Sequence, residues 1–117
     1  HTGVFEAAVA AMKTVNRLLS EIMPPSLAAG TTWLVTADHG NCDEMLAPDG
    51  AVLTQHSLNR VPFVVAGRDF RGRSNTLADG DFGLADIAPT LLEIAGVPVP
   101  EAMQGRSMFL ELKYRRP

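Results

Sequence analysis

The segment Thr36-Ala37-Asp38-His39-Gly40-Asn41 sets a carboxylate beside an imidazole, directly after a short apolar run. An anionic oxygen and a neutral imidazole nitrogen together suit a divalent cation such as manganese or zinc. Neighbouring residues on a strand point to opposite faces, so Asp38 and His39 converge only if the chain has already left the strand. Gly40 is expected to permit that departure through a positive φ. Taken alone, the pair leaves two readings open: half of a metal site, or an ordinary surface pair. The chain has three histidines, His1, His39 and His56, each in a glycine-rich or polar context rather than on an apolar stripe. Asn41 either orients Asp38 or His39 from outside the ligand shell or solvates the loop. Asp43 and Glu44 flank the same site and carry the same two readings, of which loop solvation and capping is preferred, while Met45 and Met103 read as packing. The single cysteine, Cys42, excludes an intrachain disulfide and reads as a filler beside this loop rather than as a catalytic thiol.

Elements must hold these residues in place. Phe5, Val9, Met12, Val15, Leu19 and Ile22 recur at spacings of three and four, and Ala7, Ala8, Ala10 and Ala11 add helix propensity. The spacing predicts a helix over 4–22, one face buried on a sheet, stopped by Pro24-Pro25. Trp33-Leu34-Val35-Thr36 and Val61-Pro62-Phe63-Val64-Val65 read as short strands buried on both faces, as in a parallel or mixed sheet, with Pro62 at a strand's beginning. Residues 46–60 and 66–80 are rich in Gly, Asp, Asn and Arg and read as loops. A second helix is expected from Asp86 as N-cap, with Pro89 in its first turn, an apolar face of Ile87, Leu91, Ile94 and Ala95, and Gly96 closing it. Asp81 reads as a turn residue, and Gly105-Arg106-Ser107 as a turn in the tail. Helix, strand, loop, strand, loop, helix is half of a layered α/β domain. Two buried strands need further neighbours, so the remaining sheet is expected elsewhere in a longer chain. The opening His1, where a natural chain usually has Met, agrees with that expectation.

The 117 residues suffice for one compact segment, with 46% apolar and 20% charged residues as in ordinary globular proteins. A net charge of −3 without a Lys/Arg stripe argues against nucleic-acid and anionic-membrane partners. Lys113, Arg115 and Arg116 read as a solvated tail. No apolar run approaches the roughly 20 residues of a membrane span, and no secretory signal is visible.

Four motifs in order carry a resemblance. His1-Thr2-Gly3 followed by Phe5-Glu6-Ala7-Ala8 resembles a GHTG-type turn opening a long helix. Thr36 to Asn41, with Met45 beyond, resembles a TADHGN motif. His56-Ser57, Asn59 and Val61-Pro62-Phe63 resemble an HTxN-x-VPF segment. Leu84-Ala85-Asp86-Ile87-Ala88-Pro89-Thr90-Leu91-Leu92, Gly96 and Met103-Gln104-Gly105-Arg106-Ser107 resemble a closing helix and tail. Together these cover nearly the whole chain and resemble the C-terminal part of the cofactor-independent (2,3-bisphosphoglycerate-independent) phosphoglycerate mutases. The DHG and DIAPTLL elements alone are shared across the wider alkaline phosphatase superfamily. Arg60, where the family often has proline, and Ser57-Leu58, in place of a Thr-Thr pair, depart from the pattern without touching a ligand position.

The resemblance implies a partial alkaline-phosphatase-like layered sheet with helices on its faces, residues 1–117 forming a single C-terminal segment of the metal-binding domain. It implies two divalent ions, Mn2+ foremost with Mg2+, Co2+ or Zn2+ as alternatives, and no bisphosphoglycerate. His1 and His56 would bind one ion, and Asp38 and His39 the other. The remaining ligands, the nucleophilic serine among them, would precede this chain, which therefore holds no catalytic nucleophile. The parent would be a monomeric, cytoplasmic glycolytic and gluconeogenic isomerase acting on phosphoglycerate. Two alternatives stand beside it: another alkaline-phosphatase-superfamily phosphomutase or phosphohydrolase, and an inactive metal-binding fragment.

Overall fold

The computed structural model describes residues 2–72 and 77–109. These fall into two compact units, one running to Asp69 and the other beginning at Phe70. His1 and the basic tail residues Lys113, Arg115 and Arg116 lie outside the described residues.

The first unit opens with helix α1, Phe5–Ala28. Its expected stop at Pro24-Pro25 does not occur, because both prolines are helical residues of its last turns. Proline's fixed φ is already helical, and what it loses is one N–H bond. That loss is offset by other bonds around the helix end. The Ser26 hydroxyl donates to Met23 O at 3.0 Å and accepts the Trp33 indole N–H at 2.6 Å. Ala29 N–H donates to Pro25 O at 3.0 Å and Thr31 N–H to Ser26 O at 2.9 Å. Gly30 then turns the chain at φ +91°, a region that favours glycine.

After that turn come β1, Trp33–Thr36, and β2, Phe63–Ala66. They pair antiparallel, Trp33 opposite Ala66 and Thr36 opposite Phe63, as a two-stranded sheet. The expected burial on both faces is absent: β1 is half-buried throughout and Val64 of β2 is exposed. Nor is a face of α1 buried, since Phe5, Met12, Val15, Leu18 and Ile22 are all exposed. Two strands of four residues are too small to cover a helix of 24. The segment is thus α/β in content, with helices and one small sheet. Among the described residues no helix is long and apolar enough to cross a membrane.

In the second unit, a 3-10 turn at Leu84–Asp86 leads into helix α2, Ile87–Ala95. Pro89 sits in the first turn as expected, and Gly96 ends the helix in the left-handed region at φ +69°. Gly96 N–H donates to Glu93 O and Val97 N–H to Leu92 O, the paired bonds of a Schellman close. Asp86 does not act as the expected N-cap of α2, because its backbone is already helical and its side chain makes no capping bond there. Its carboxylate reaches back to Gly83 N–H and across to Arg106 N–H, both at 2.8 Å. Gly105 makes that reach possible, since a Cβ there would collide with Ala85 O. The 105–107 segment is thereby drawn against the 3-10 turn instead of forming a turn of its own.

Thr90 and Pro89 are the fully buried side chains of this unit, beside Met108 and Phe109. The Thr90 hydroxyl donates to Asp86 O at 2.6 Å and accepts Met108 N–H at 3.0 Å. Phe109 stacks on Phe70 with ring centroids 5.5 Å apart. One hydroxyl therefore ties the helix start to the returning tail. Thr90→Val keeps the shape but strands a buried N–H, so denaturant unfolding should show a loss of about 1–3 kcal/mol. A change within about 0.5 kcal/mol, the range of an ordinary surface substitution, would contradict this.

The Arg106 N–H, then the Gly83 N–H, with the Arg106 charge adding a little, hold the Asp86 carboxyl below its usual value. A depressed carboxyl contributes stability above its unfolded pKa, and that contribution is lost as pH falls through the folded one. Melting temperatures of wild type and Asp86→Ala should therefore differ at pH 6 and draw together as pH falls below the ordinary carboxylate range. A gap that stays constant across that range would be inconsistent with a carboxylate role.

Candidate functional site

Both candidate loops belong to the first unit. The turn after β1 carries Asp38, His39 and Gly40, and the chain then makes an excursion before returning with His56. The excursion is a short hairpin: Leu46 bridges Val52, Ala47 N–H donates to Ala51 O, and Leu53 N–H donates to Met45 O, the last two at 2.9 Å. Gly50 closes it at φ +84°. The hairpin returns the chain antiparallel to itself, so residues 55–59 run alongside residues 40–43. Gly3, also at positive φ, packs against Val52 and Thr54 of the returning strand.

The two segments are fastened by backbone and side-chain hydrogen bonds. Ser57 N–H donates to Gly40 O at 2.9 Å, forming an isolated antiparallel bridge. Asn41 Nδ2 donates to Gln55 O at 3.0 Å. Ser57 Oγ and Asn59 Nδ2 donate to Asp43 Oδ2 at 2.7 and 2.6 Å. Those two donors, Ser57 first, hold the exposed Asp43 carboxyl below its usual value. Gly40 is buried, and its φ is not positive. The expectation of a left-handed turn is thus replaced by a packing reason: a Cβ on Gly40 would meet Ser57 Oγ, and Asp43 Oδ1 at 2.7 Å.

This fastening stacks His39 on His56, with ring centroids 3.5 Å apart and an interplanar angle of 11°. Neutral imidazoles tolerate such face-to-face contact, and the neutral ring is also the metal-binding form. His39 Nδ1 lies 3.1 Å from Gly40 O. A carbonyl only accepts, so Nδ1 carries the proton and the lone pair of the neutral ring falls on Nε2. That nitrogen lies 3.6 Å from Asp38 Oδ1. Two donors each about 2.1 Å from a tetrahedral ion lie about 3.4 Å apart, so the pair fits a shared cation. The His39–Gly40 contact is the outer hydrogen bond that metal-ligating histidines usually make.

Asp38, His39 and His56 are therefore brought together, and His1 falls outside the described residues. Asn41 donates its amide N–H to Gln55 O, the backbone beside His56. For Asp43, the preferred reading as a solvating loop acid missed its pairing with Ser57 and Asn59. The signal available was a carboxylate four residues after His39, with two short polar residues around His56. Among the described residues no three His, Cys, Asp or Glu side chains are assembled around one ion.

Residues 1–99 match the profile described as the Metalloenzyme superfamily. The chain is also similar to proteins named 2,3-bisphosphoglycerate-independent phosphoglycerate mutase. It is 50% identical to that of Thermomicrobium roseum over 94% of this chain and 21% of the relative. For Syntrophotalea carbinolica the identity is 46%, over 93% of this chain and 20% of the relative. For Onchocerca volvulus it is 38%, over 96% and 22%. The chain spans about a fifth of the length of the curated relatives it matches. With the profile extending over 99 of 117 residues and through both loops of the site, this chain belongs to the metalloenzyme superfamily.

Proposed function

We propose that this chain is the metal-ligating segment of a phosphoglycerate mutase that interconverts 3-phosphoglycerate and 2-phosphoglycerate, through a phosphoserine intermediate, with two divalent ions of which Mn2+ is the best suited. The observation that carries the reading is the position of His39, with Nε2 3.6 Å from Asp38 Oδ1 and its ring stacked on that of His56, on loops similar to those of proteins named as such mutases. Asp38 and His39 would hold one ion, and His56 with His1 the other. An imidazole lone pair lies in the plane of its ring. Two near-parallel rings therefore direct their lone pairs side by side rather than at one point, which supports one ion per ring.

Phosphoryl transfer depends on positioning and on countering the charge spread over the moving group. When bound, two cations supply Lewis-acid stabilisation of that charge and a lowered pKa for the attacking hydroxyl. The chain's own residues orient and neutralise. Of the ligands on this chain, only the Asp38 carboxylate would bring a negative charge to offset those of the ions. His39 is kept in the ligating tautomer by Gly40 O. The nucleophilic serine and the groups that grip phosphoglycerate would be supplied from sequence outside this chain.

Titrating the chain with Mn2+ should show that Asp38→Ala combined with His39→Ala weakens binding by more than the roughly 10–100-fold typical of outer-shell substitutions. Equal affinity in the two proteins would remove the metal assignment. Mutase assays on the chain alone, loaded with Mn2+, should stay at background. Measurable turnover would place the nucleophile within these residues.

A further inference from the structure

We infer that Asp43 is a positioning residue, whose carboxylate sets the distance and parallel alignment of the His39 and His56 rings by gathering the residues that flank His56. The inference rests on the proposed metal role of those histidines. Asp43 touches neither ring through the bonds described. It acts through Ser57 and Asn59, one and three residues beyond His56, both of which donate to the same oxygen, Oδ2.

Three features make the carboxylate more than loop solvation. One acceptor oxygen takes two short bonds, at 2.7 and 2.6 Å, from residues 14 and 16 positions away. Charge-assisted bonds of this kind are roughly twice as strong as neutral ones. The bonds also close a ring with the Ser57 N–H to Gly40 O bridge, so Ser57 is held at both its backbone and its hydroxyl. Finally, Gly40 is packed so closely under Ser57 Oγ and Asp43 Oδ1 that no side chain fits there. His56 itself is exposed. Its ring lies against that of His39, and its chain neighbour Ser57 is the residue fixed at two points. Ser57 supplies a hydroxyl where the related motif has threonine, so the same donor is available to either sequence.

The test uses the full chain with Mn2+ alone as probe, and two readouts: affinity, and the ring-current shifts of the His39 and His56 imidazole protons without metal. Asp43→Leu keeps the size and removes the acceptor. It should weaken Mn2+ binding about tenfold or more and abolish the mutual ring shifts, leaving the Trp33 indole signal in place. Asp43→Asn keeps an acceptor oxygen without the charge and should fall between Asp43→Leu and wild type on both readouts. If Asp43→Leu fails to fold, the Ser57→Ala, Asn59→Ala protein, with Asp43 intact, reports the same coupling. Wild-type affinity together with retained ring shifts in either protein would overturn the inference. An Asp38→Ala chain that binds Mn2+ as tightly as wild type would instead defeat the metal reading, and the ring shifts would then decide the role of Asp43 by themselves: lost shifts sustain it, retained shifts refute it.

Discussion

The backbone bridge between Ser57 N–H and Gly40 O is the constraint on which the site depends. It joins two segments that lie far apart in sequence, one leaving β1 and the other approaching β2, and around it the Asn41 and Asp43 bonds fall into register. The bridge exists because residue 40 has no side chain. Any Cβ would occupy the space of the Ser57 hydroxyl and part the two loops. Once they are joined, the ring stack and the Asp38–His39 spacing follow without a large core beneath them. An open site of this kind gives up little apolar burial, and it leaves its carboxylate accessible to a cation from solvent.

A similar economy governs the second unit, where a single hydroxyl and a single carboxylate organise the chain. Thr90 satisfies one carbonyl and one N–H in the only fully buried polar position described, and Asp86 collects two N–H groups at the surface. Leaving the Met108 N–H at Thr90 unmet after burial would cost more than its bond contributes. The exposed apolar stripe of α1 is the counterpart: 24 residues of amphipathic helix with only a two-stranded sheet in its own unit.

Much of this was legible in the residues, but not always for the right reason. The 3.6-residue periodicity from Phe5 onward, the apolar tetrapeptide at Trp33 and the Gly96 close each declared an element through local chemistry. The end of α1 was misread because Pro24-Pro25 stops helices by propensity, whereas here Ser26 and Trp33 supply tertiary bonds that no local rule contains. Strand burial was misjudged because an apolar run fixes strand character but not how many neighbours the strand has. Gly40 drew attention as a turn former, yet its role is a close approach to Ser57, a residue 17 positions later. Asp43 looked like a solvated loop acid for the same reason: its partners at 57 and 59 become neighbours only after the 46–52 hairpin returns the chain. Asp38, His39 and His56 could be picked out by type, but their convergence lies in pairings that a one-dimensional reading does not contain.

The central claim is that His39 and His56, side by side on these loops, each face a divalent cation. Substoichiometric Mn2+ added to the chain, followed by nuclear magnetic resonance, measures it directly, since the ion broadens only the protons near its binding place. The account predicts that imidazole signals of His39 and His56 vanish first and together, with the backbone of Asp38 close behind. Broadening that begins instead at Asp49 or Asp81, with both imidazoles still sharp, would contradict it.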